Sequence, residues 1–126
     1  VHAAVGAVHA GWRGAAQGLV SIALRRMGEV FGPHPADVRA AIGAGIGPCC
    51  FETDGDVPQA MRAALGAAAD PYIGALKGIN AHWLRADGVE QIDVCAHCTA
   101  CRPDLYWSHR RMGNARGAQI AMIALR

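Results

Sequence analysis

The spacing of apolar residues changes along the chain between a helical period and short continuous runs. Apolar positions recur at helical spacing over residues 15–31, 57–68 and 79–87, which predicts three amphipathic helices. Short apolar runs predict four strands, over residues 5–9, 37–46, 89–94 and 119–125. This mixture of elements predicts an α+β fold in which helices cover a sheet.

Glycine and proline separate these elements. Gly32 and Pro33 end the first predicted helix, Pro71 breaks the chain after the second, and Gly88 caps the third. The strand predicted over residues 37–46 runs into a glycine-rich stretch, which lets the backbone approach another group closely. Residues 95–118 form a polar loop that carries much of the candidate chemistry.

The composition indicates one folded domain over residues 1–126. Apolar residues make up 52% of the chain and charged residues 17%, which excludes a disordered protein. No apolar run approaches the roughly 20 residues of a membrane span, so we expect no membrane partner. The net charge is only +2, with lysine and arginine spread along the chain, which argues against nucleic-acid binding.

Five cysteines, at positions 49, 50, 95, 98 and 101, are odd in number and closely spaced. This pattern fits a reducing compartment better than a secreted disulfide scaffold, so we expect a cytoplasmic protein. Cys95, Cys98 and Cys101, with His97 between them, have the spacing of a metal site, and three cysteines with one histidine suit a structural zinc. Loop cysteines without a ligand are the alternative.

Cys49 and Cys50 follow a Gly-Pro pair at the end of a predicted strand. One of them could be a thiolate near a metal, whereas free cysteines are most often inert buried residues. In an extended backbone, two adjacent side chains point in opposite directions, so both would not face the same site.

The segment His-Ala-Gly-Trp-Arg-Gly, residues 9–14, lies where the first predicted strand meets the first predicted helix. We expect a metal-binding or catalytic role for His9, against the alternative of a histidine that bonds a backbone carbonyl. Arg13 could hold a phosphate or carboxylate in a forked geometry, or form only an exposed salt bridge. Trp12 could stack on a flat ring or pack in the core.

Three further arginines, Arg110, Arg111 and Arg116, lie in a basic segment that contains two glycines. They could form an anion pocket or a solvated basic turn. The sequence has no Gly-x-Ser-x-Gly elbow, phosphate-binding loop or dinucleotide fingerprint.

These segments together resemble the laccase-domain or polyphenol oxidase family. The resemblance rests on four blocks that span nearly the whole chain: His-Ala-Gly-Trp-Arg-Gly from His9, Ile-Gly-Pro-Cys-Cys-Phe-Glu from Ile46, Cys98-Thr99, and Tyr-Trp-Ser-His-Arg-Arg from Tyr106 with Arg116-Gly117. Members are also called purine nucleoside phosphorylases of the laccase-domain type, and they include the peptidoglycan editing factor. Cys95 and Cys101 go beyond the family pattern.

The resemblance implies a layered α/β/β/α sandwich with mixed sheets and a single metal, zinc rather than copper. In the family, that metal is held by a histidine of a Gln-Val-His-Gly block, a cysteine of an Ala-Asp-Cys block, and the histidine that corresponds to His9. The first two blocks would precede Val1, so the chain resembles the C-terminal portion of a longer member. Cys50 matches a position close to the metal in the family, which suggests a catalytic role for it.

The chemistry implied is phosphorolysis of adenosine, inosine, guanosine and methylthioadenosine, with deamination of adenosine. The partners would be a purine nucleoside and phosphate. Arg13 is the first candidate for the phosphate and a catalytic role, followed by Arg110, Arg111 and Arg116. The alternatives are a copper-dependent polyphenol oxidase, a peptidoglycan-precursor editing amidase with a Cys–His pair, and a non-enzymatic domain with structural zinc at residues 95–101.

Overall fold

The computed structural model describes residues 3–125 and contains both helices and strands, which confirms the α+β class. The α-helices are α1 (Trp12–Ala16), α2 (Leu19–Phe31), α3 (Asp56–Leu65), α4 (Leu76–Ala86) and α5 (His109–Met112). The strands are β1 (Arg39–Ile42) and β2 (Gln91–Val94), and short 3-10 helices occupy Pro35–Asp37, Gly66–Tyr72 and Gly113–Ala115. None of the helices within residues 3–125 has the length and apolar character needed to cross a membrane.

The two strands pair in parallel, with Arg39 opposite Gln91 and Ile42 opposite Val94. The pairing continues beyond the strands through a bridge between Gly45 and Cys98. Because parallel strands end at the same edge of a sheet, the loops that follow β1 and β2 leave the sheet side by side. This edge holds most of the candidate site.

Two apolar clusters form the core. The first lies between α1, α3 and α4, where Met61 and Ile79 are fully buried beside Ala15 and Ala16. The second joins α2 and α4 to the sheet through the buried residues Leu24, Leu84 and Val89. Complete burial of a side chain as large as methionine or isoleucine contributes about 1.5–3 kcal/mol, so these contacts fix α4 between the two clusters.

The first predicted helix is divided in two, which corrects the sequence prediction over residues 15–31. α1 ends at Ala16, and Gly18 adopts a left-handed conformation with φ of 66° before α2 begins. The break brings the chain against α4, where the Trp83 Nε1–H donates a hydrogen bond of 2.8 Å to the Ala15 carbonyl. A Cβ on Gly18 would lie 3.3 Å from the Trp83 ring, so a glycine suits both the backbone and the packing here.

The strands predicted over residues 5–9 and 119–125 are wrong for this structure, since both segments lack regular secondary structure. They are largely exposed, and Ile120 and Met122 keep 85% and 91% of their surface accessible. An apolar sequence becomes a strand only where a neighbour completes its backbone hydrogen bonds, and within residues 3–125 the sheet consists of β1 and β2 alone. The sheet in this part of the chain is therefore parallel rather than mixed.

We expect Gly18→Ala to destabilise the fold by more than Gly32→Ala. Both glycines have positive φ, of 66° and 73°, so each alanine costs about 1–2 kcal/mol in backbone strain. A Cβ on Gly32 meets no atom within 4 Å, whereas a Cβ on Gly18 presses on Trp83, which adds about 1–3 kcal/mol of overpacking. Urea denaturation of both variants measures the difference, and equal midpoints would contradict the assigned role of Trp83.

Candidate functional site

Two loops meet at the carboxyl edge of the sheet, one after β1 and one after β2. The Cys95 N–H donates to the Ile42 carbonyl at 2.9 Å, and the Thr99 N–H donates to the Gly45 carbonyl at 3.1 Å. These hydrogen bonds extend the parallel pairing into the loops. The polar loop that begins at Cys95 is thereby held beside the glycine-rich stretch that precedes Cys49.

A tight turn brings the two adjacent cysteines to the second loop. The Cys50 and Phe51 N–H groups both donate to the Gly47 carbonyl, at 3.0 and 2.9 Å. The backbone at Cys49 and Cys50 is consequently a turn and not an extended segment. The expectation that these two side chains must point apart is therefore wrong, because it assumed an extended backbone.

Four cysteine sulfurs form one cluster, which we call the cysteine cluster: Cys49, Cys50, Cys98 and Cys101. All four Sγ atoms lie within 4.8 Å of one another. The Sγ of Cys101 lies 3.6 Å from that of Cys49 and 3.5 Å from that of Cys50. Cys98 is buried, Cys50 is half-buried, and Cys49 and Cys101 are exposed, so the cluster has one open side.

The cluster differs from the metal site that spacing alone suggested at residues 95–101. Cys98 and Cys101 belong to it, whereas Cys95 and His97 do not. The side chain of His97 is instead 2.9 Å from the Tyr106 hydroxyl, measured from Nδ1. Cys49 and Cys50 are candidates from the sequence, but their convergence with Cys98 and Cys101 depends on the parallel pairing of the strands that precede each pair.

Backbone N–H groups surround the sulfur of Cys98. Its Sγ accepts a hydrogen bond from the Gly47 N–H at 3.2 Å. Burial raises the pKa of Cys98, but hydrogen bonds from the backbone of Gly47, Cys101 and Ala100 outweigh it and lower the pKa to about 6. Contact with the Cys101 thiol raises the pKa of Cys49. Cys98 is consequently the thiol of the cluster that most readily ionises.

Two basic side chains donate hydrogen bonds to backbone carbonyl groups of the loop after β2. Lys77 on α4 donates from Nζ to the carbonyls of Cys95 and His97, at 2.6 and 2.9 Å. Arg111 on α5 donates from Nη1 to the carbonyls of Thr99 and Ala100, at 3.2 and 2.8 Å. Lys77 cannot be recognised from the sequence, because it lies about twenty positions before the loop and reaches these carbonyls only once the fold brings α4 to the sheet.

All three arginines of the basic segment form hydrogen bonds within the chain. Arg111 makes a further hydrogen bond of 2.9 Å to the Tyr106 carbonyl through Nη2. Arg110 donates to the Glu52 carbonyl at 3.2 Å, and Arg116 donates to His109 and to the Gly117 carbonyl, both at 3.3 Å. Arg110 and Arg116 are exposed and keep donor groups available, whereas both terminal nitrogens of Arg111 are engaged with backbone carbonyls.

His9 and Arg13 are exposed at the start of α1 and lie outside the cysteine cluster. The Arg13 guanidinium stacks on the Trp12 indole, with its central carbon 4.3 Å from the ring centroid. Among residues 3–125, no carboxylate lies within 4.0 Å of Arg13, so the alternative of an exposed salt bridge is not observed in the described chain.

His9 belongs to no group of potential metal ligands within the described residues. Within residues 3–125, the one group of three or more histidine, cysteine or carboxylate ligands is the cysteine cluster, and His9 is not a member of it. A metal held by three protein ligands at His9 would therefore need ligands from outside the described residues.

Sequence comparison identifies the chain as a laccase-domain protein. The profile of the family described as multi-copper polyphenol oxidoreductase laccase matches residues 1–126, so the chain belongs to this family. Curated relatives carry another name: purine nucleoside phosphorylase YlmD of Geobacillus stearothermophilus is 36% identical over 97% of this chain and 48% of its own length. The Bacillus subtilis YlmD is 33% identical over 100% of this chain and 49% of its own length.

A more distant relative is also named a purine nucleoside phosphorylase. Human purine nucleoside phosphorylase LACC1 is 28% identical over 100% of this chain, which covers 32% of that protein. The chain spans about half the length of the bacterial relatives it matches, and a third of the human one.

We expect Arg111→Lys to destabilise the second loop, whereas Arg110→Lys has little effect on stability. A lysine cannot reproduce the fork with which Arg111 reaches the carbonyls of Thr99, Ala100 and Tyr106. Each lost hydrogen bond costs about 0.5–1.5 kcal/mol. Hydrogen exchange of the amides in residues 95–106 provides the measurement. Equal protection in the two variants would show that Arg111 does not hold this loop.

Proposed function

We propose that this chain forms part of a zinc-dependent purine nucleoside phosphorylase that acts on adenosine, inosine, guanosine and methylthioadenosine, with deamination of adenosine as a second activity. The observation that carries the proposal is the name purine nucleoside phosphorylase, which is shared by relatives from two bacteria and from human, each aligned over nearly the whole chain. The α/β/β/α sandwich and the cytoplasmic location belong to the same proposal.

Arg13 is the proposed phosphate-binding and catalytic residue. Its guanidinium is exposed and free of a carboxylate partner among the described residues, and the Trp12 ring supports one face of it. The N–H groups at the edge of the guanidinium plane therefore remain available to two oxygens of one phosphate. Arg110 and Arg116 are secondary candidates, because they retain free donors. Arg111 is the weakest, because its terminal nitrogens already bind three carbonyls.

His9 is proposed as one ligand of the family's metal. Support comes from its place in the His-Ala-Gly-Trp-Arg-Gly block, and from a side chain that is exposed and four residues from Arg13. The remaining ligands implied by the resemblance would have to come from outside the described residues.

Two roles are open for Cys50, and they predict different results. As a catalytic residue near the family's metal, Cys50 would affect turnover while bound metal is retained. As a member of the cysteine cluster, with its Sγ 3.5 Å from that of Cys101, it would affect metal content and stability first. Parallel measurement of turnover and metal content in Cys50→Ser separates the two.

Arg13→Lys should raise KM for phosphate by at least about tenfold, with a smaller change in KM for the nucleoside. The reason is that lysine offers a point charge in place of a bidentate fork, which weakens phosphate binding selectively. The assay is phosphate-dependent release of adenine and ribose 1-phosphate from adenosine, measured on this chain joined to the part of the Geobacillus stearothermophilus relative that it does not cover. Arg25→Lys, an exposed arginine on α2, provides the control. Bound copper with phenol oxidation and no purine turnover would instead support the polyphenol oxidase alternative.

The 126-residue chain by itself should be a poor phosphorylase, because His9 alone cannot complete a catalytic metal site. Joining it to the part of the Geobacillus stearothermophilus relative that it does not cover should raise turnover, and His9→Ala in the fusion should remove the gain. The measurement is adenine release at matched protein concentration. Full activity from the isolated chain would show that the assignment of His9 as one of several ligands is wrong.

A further inference from the structure

We propose that the cysteine cluster binds one structural Zn²⁺ through the sulfurs of Cys49, Cys50, Cys98 and Cys101. This site is separate from His9 and independent of the proposed phosphorylase activity. It joins the loop after β1 to the loop after β2 and takes no part in turnover. The ligand it selects is a soft or borderline divalent cation that prefers four thiolates.

The sulfur positions fit a tetrahedral zinc site. Zinc–sulfur bonds of about 2.3 Å in a tetrahedron place neighbouring sulfurs about 3.8 Å apart. The observed separations from Cys101 Sγ are 3.5 and 3.6 Å, and all pairs lie within 4.8 Å. Small adjustments of the side chains would therefore bring the four sulfurs to coordinating distance. Cys98 and Cys101 also have the two-residue spacing that is common in structural zinc sites.

The backbone leaves room for the sulfurs at one glycine. A Cβ on Gly47 would lie 3.2 Å from the Cβ of Cys98 and 3.3 Å from the Sγ of Cys49. The same residue donates its N–H to the Sγ of Cys98 and accepts two N–H groups from the turn that carries Cys50. Gly47 is therefore a positioning residue that lets the two cysteine-bearing loops approach each other.

The charge around the cluster suits a bound tetrathiolate. Four thiolates with one Zn²⁺ carry a net double negative charge, and each protonated thiol releases its proton to solvent on binding. Lys77 and Arg111 supply two positive charges to the backbone of the loop that carries Cys98 and Cys101. The N–H groups around Cys98 stabilise its thiolate directly. Hydrogen bonds to ligand atoms of this kind are typical of metal sites.

A disulfide explains the geometry less well than a metal does. A disulfide has an S–S bond of about 2.05 Å and pairs sulfurs two by two. Here Cys101 Sγ is nearly equidistant from Cys49 and Cys50, and a fourth sulfur lies within the same radius. Four mutually close sulfurs are the arrangement expected for one central ion.

The test compares matched variants of the chain, purified under reducing conditions with zinc supplied. Wild type and Cys95→Ser should bind one zinc through this cluster, because Cys95 lies outside it. Cys101→Ser should lose that zinc, whereas His9→Ala should keep it. Replacement by Co²⁺ should give the intense sulfur-to-cobalt charge-transfer absorption of a tetrathiolate in wild type, Cys95→Ser and His9→Ala, but not in Cys101→Ser. Removal of zinc by a chelator should lower Tm in the three proteins that bind it.

Glycine variants keep the proposal testable if Cys101→Ser does not fold. Gly47→Ala should weaken zinc binding by about 10–100-fold, as changes to residues around metal ligands do. Gly43→Ala should bind zinc as wild type does, because a Cβ there meets no atom within 4 Å. Competition with a chromophoric zinc chelator measures both affinities.

Several results would overturn the proposal. One is zinc that remains bound in Cys101→Ser, and another is a wild-type cobalt spectrum without charge-transfer absorption. The proposal also fails if the purified wild-type cluster holds iron, or if mass spectrometry finds its cysteines joined as disulfides under reducing conditions. Absence of purine turnover in the fusion protein that carries His9, together with zinc retained by His9→Ala, would count against the phosphorylase proposal and leave the zinc-site proposal supported. If neither wild type nor His9→Ala contains zinc, the zinc-site proposal alone is overturned.

Discussion

The parallel pairing of β1 with β2 is the constraint on which the rest of this site depends. Parallel neighbours finish at one edge, so the residues after Ile42 and those after Val94 enter the same space although about fifty positions separate them. An antiparallel pairing would send the two loops to opposite ends of the sheet. The cysteine cluster exists because the two strands run in the same direction, which brings Cys49 and Cys50 beside Cys98 and Cys101.

The same residue type has different roles at different positions, and the surrounding backbone decides which. Arg111 lies beside carbonyl groups that would otherwise lack donors, and it satisfies three of them. Arg13 lies beside an indole face, which offers no strong acceptor and leaves the guanidinium edge accessible. A list of arginines in the sequence cannot separate these cases, because the difference depends on which acceptors the fold brings close.

Helices were easier to predict from the sequence than strands, and the cause is physical. A helix completes its hydrogen bonds within one segment, so the apolar spacing of α2, α3 and α4 was sufficient to locate them. A strand depends on its neighbour, which is why residues 5–9 and 119–125 were predicted as strands on composition alone and are irregular here. The break at Gly18 was missed because it depends on Trp83, a contact between distant parts of the chain. The cysteine pairs were each noted, but their convergence required the sheet topology.

The three tryptophans lie in three different environments of the structure. Trp12 lies under the Arg13 guanidinium, Trp83 is fixed against Gly18 and the Ala15 carbonyl, and Trp107 is partly exposed on the polar loop that follows β2. Indole emission depends on local polarity and on nearby charge. Single-tryptophan versions of the chain would therefore report separately on the surface near α1, on the packing of α4 and on the loop after β2, without any attached dye.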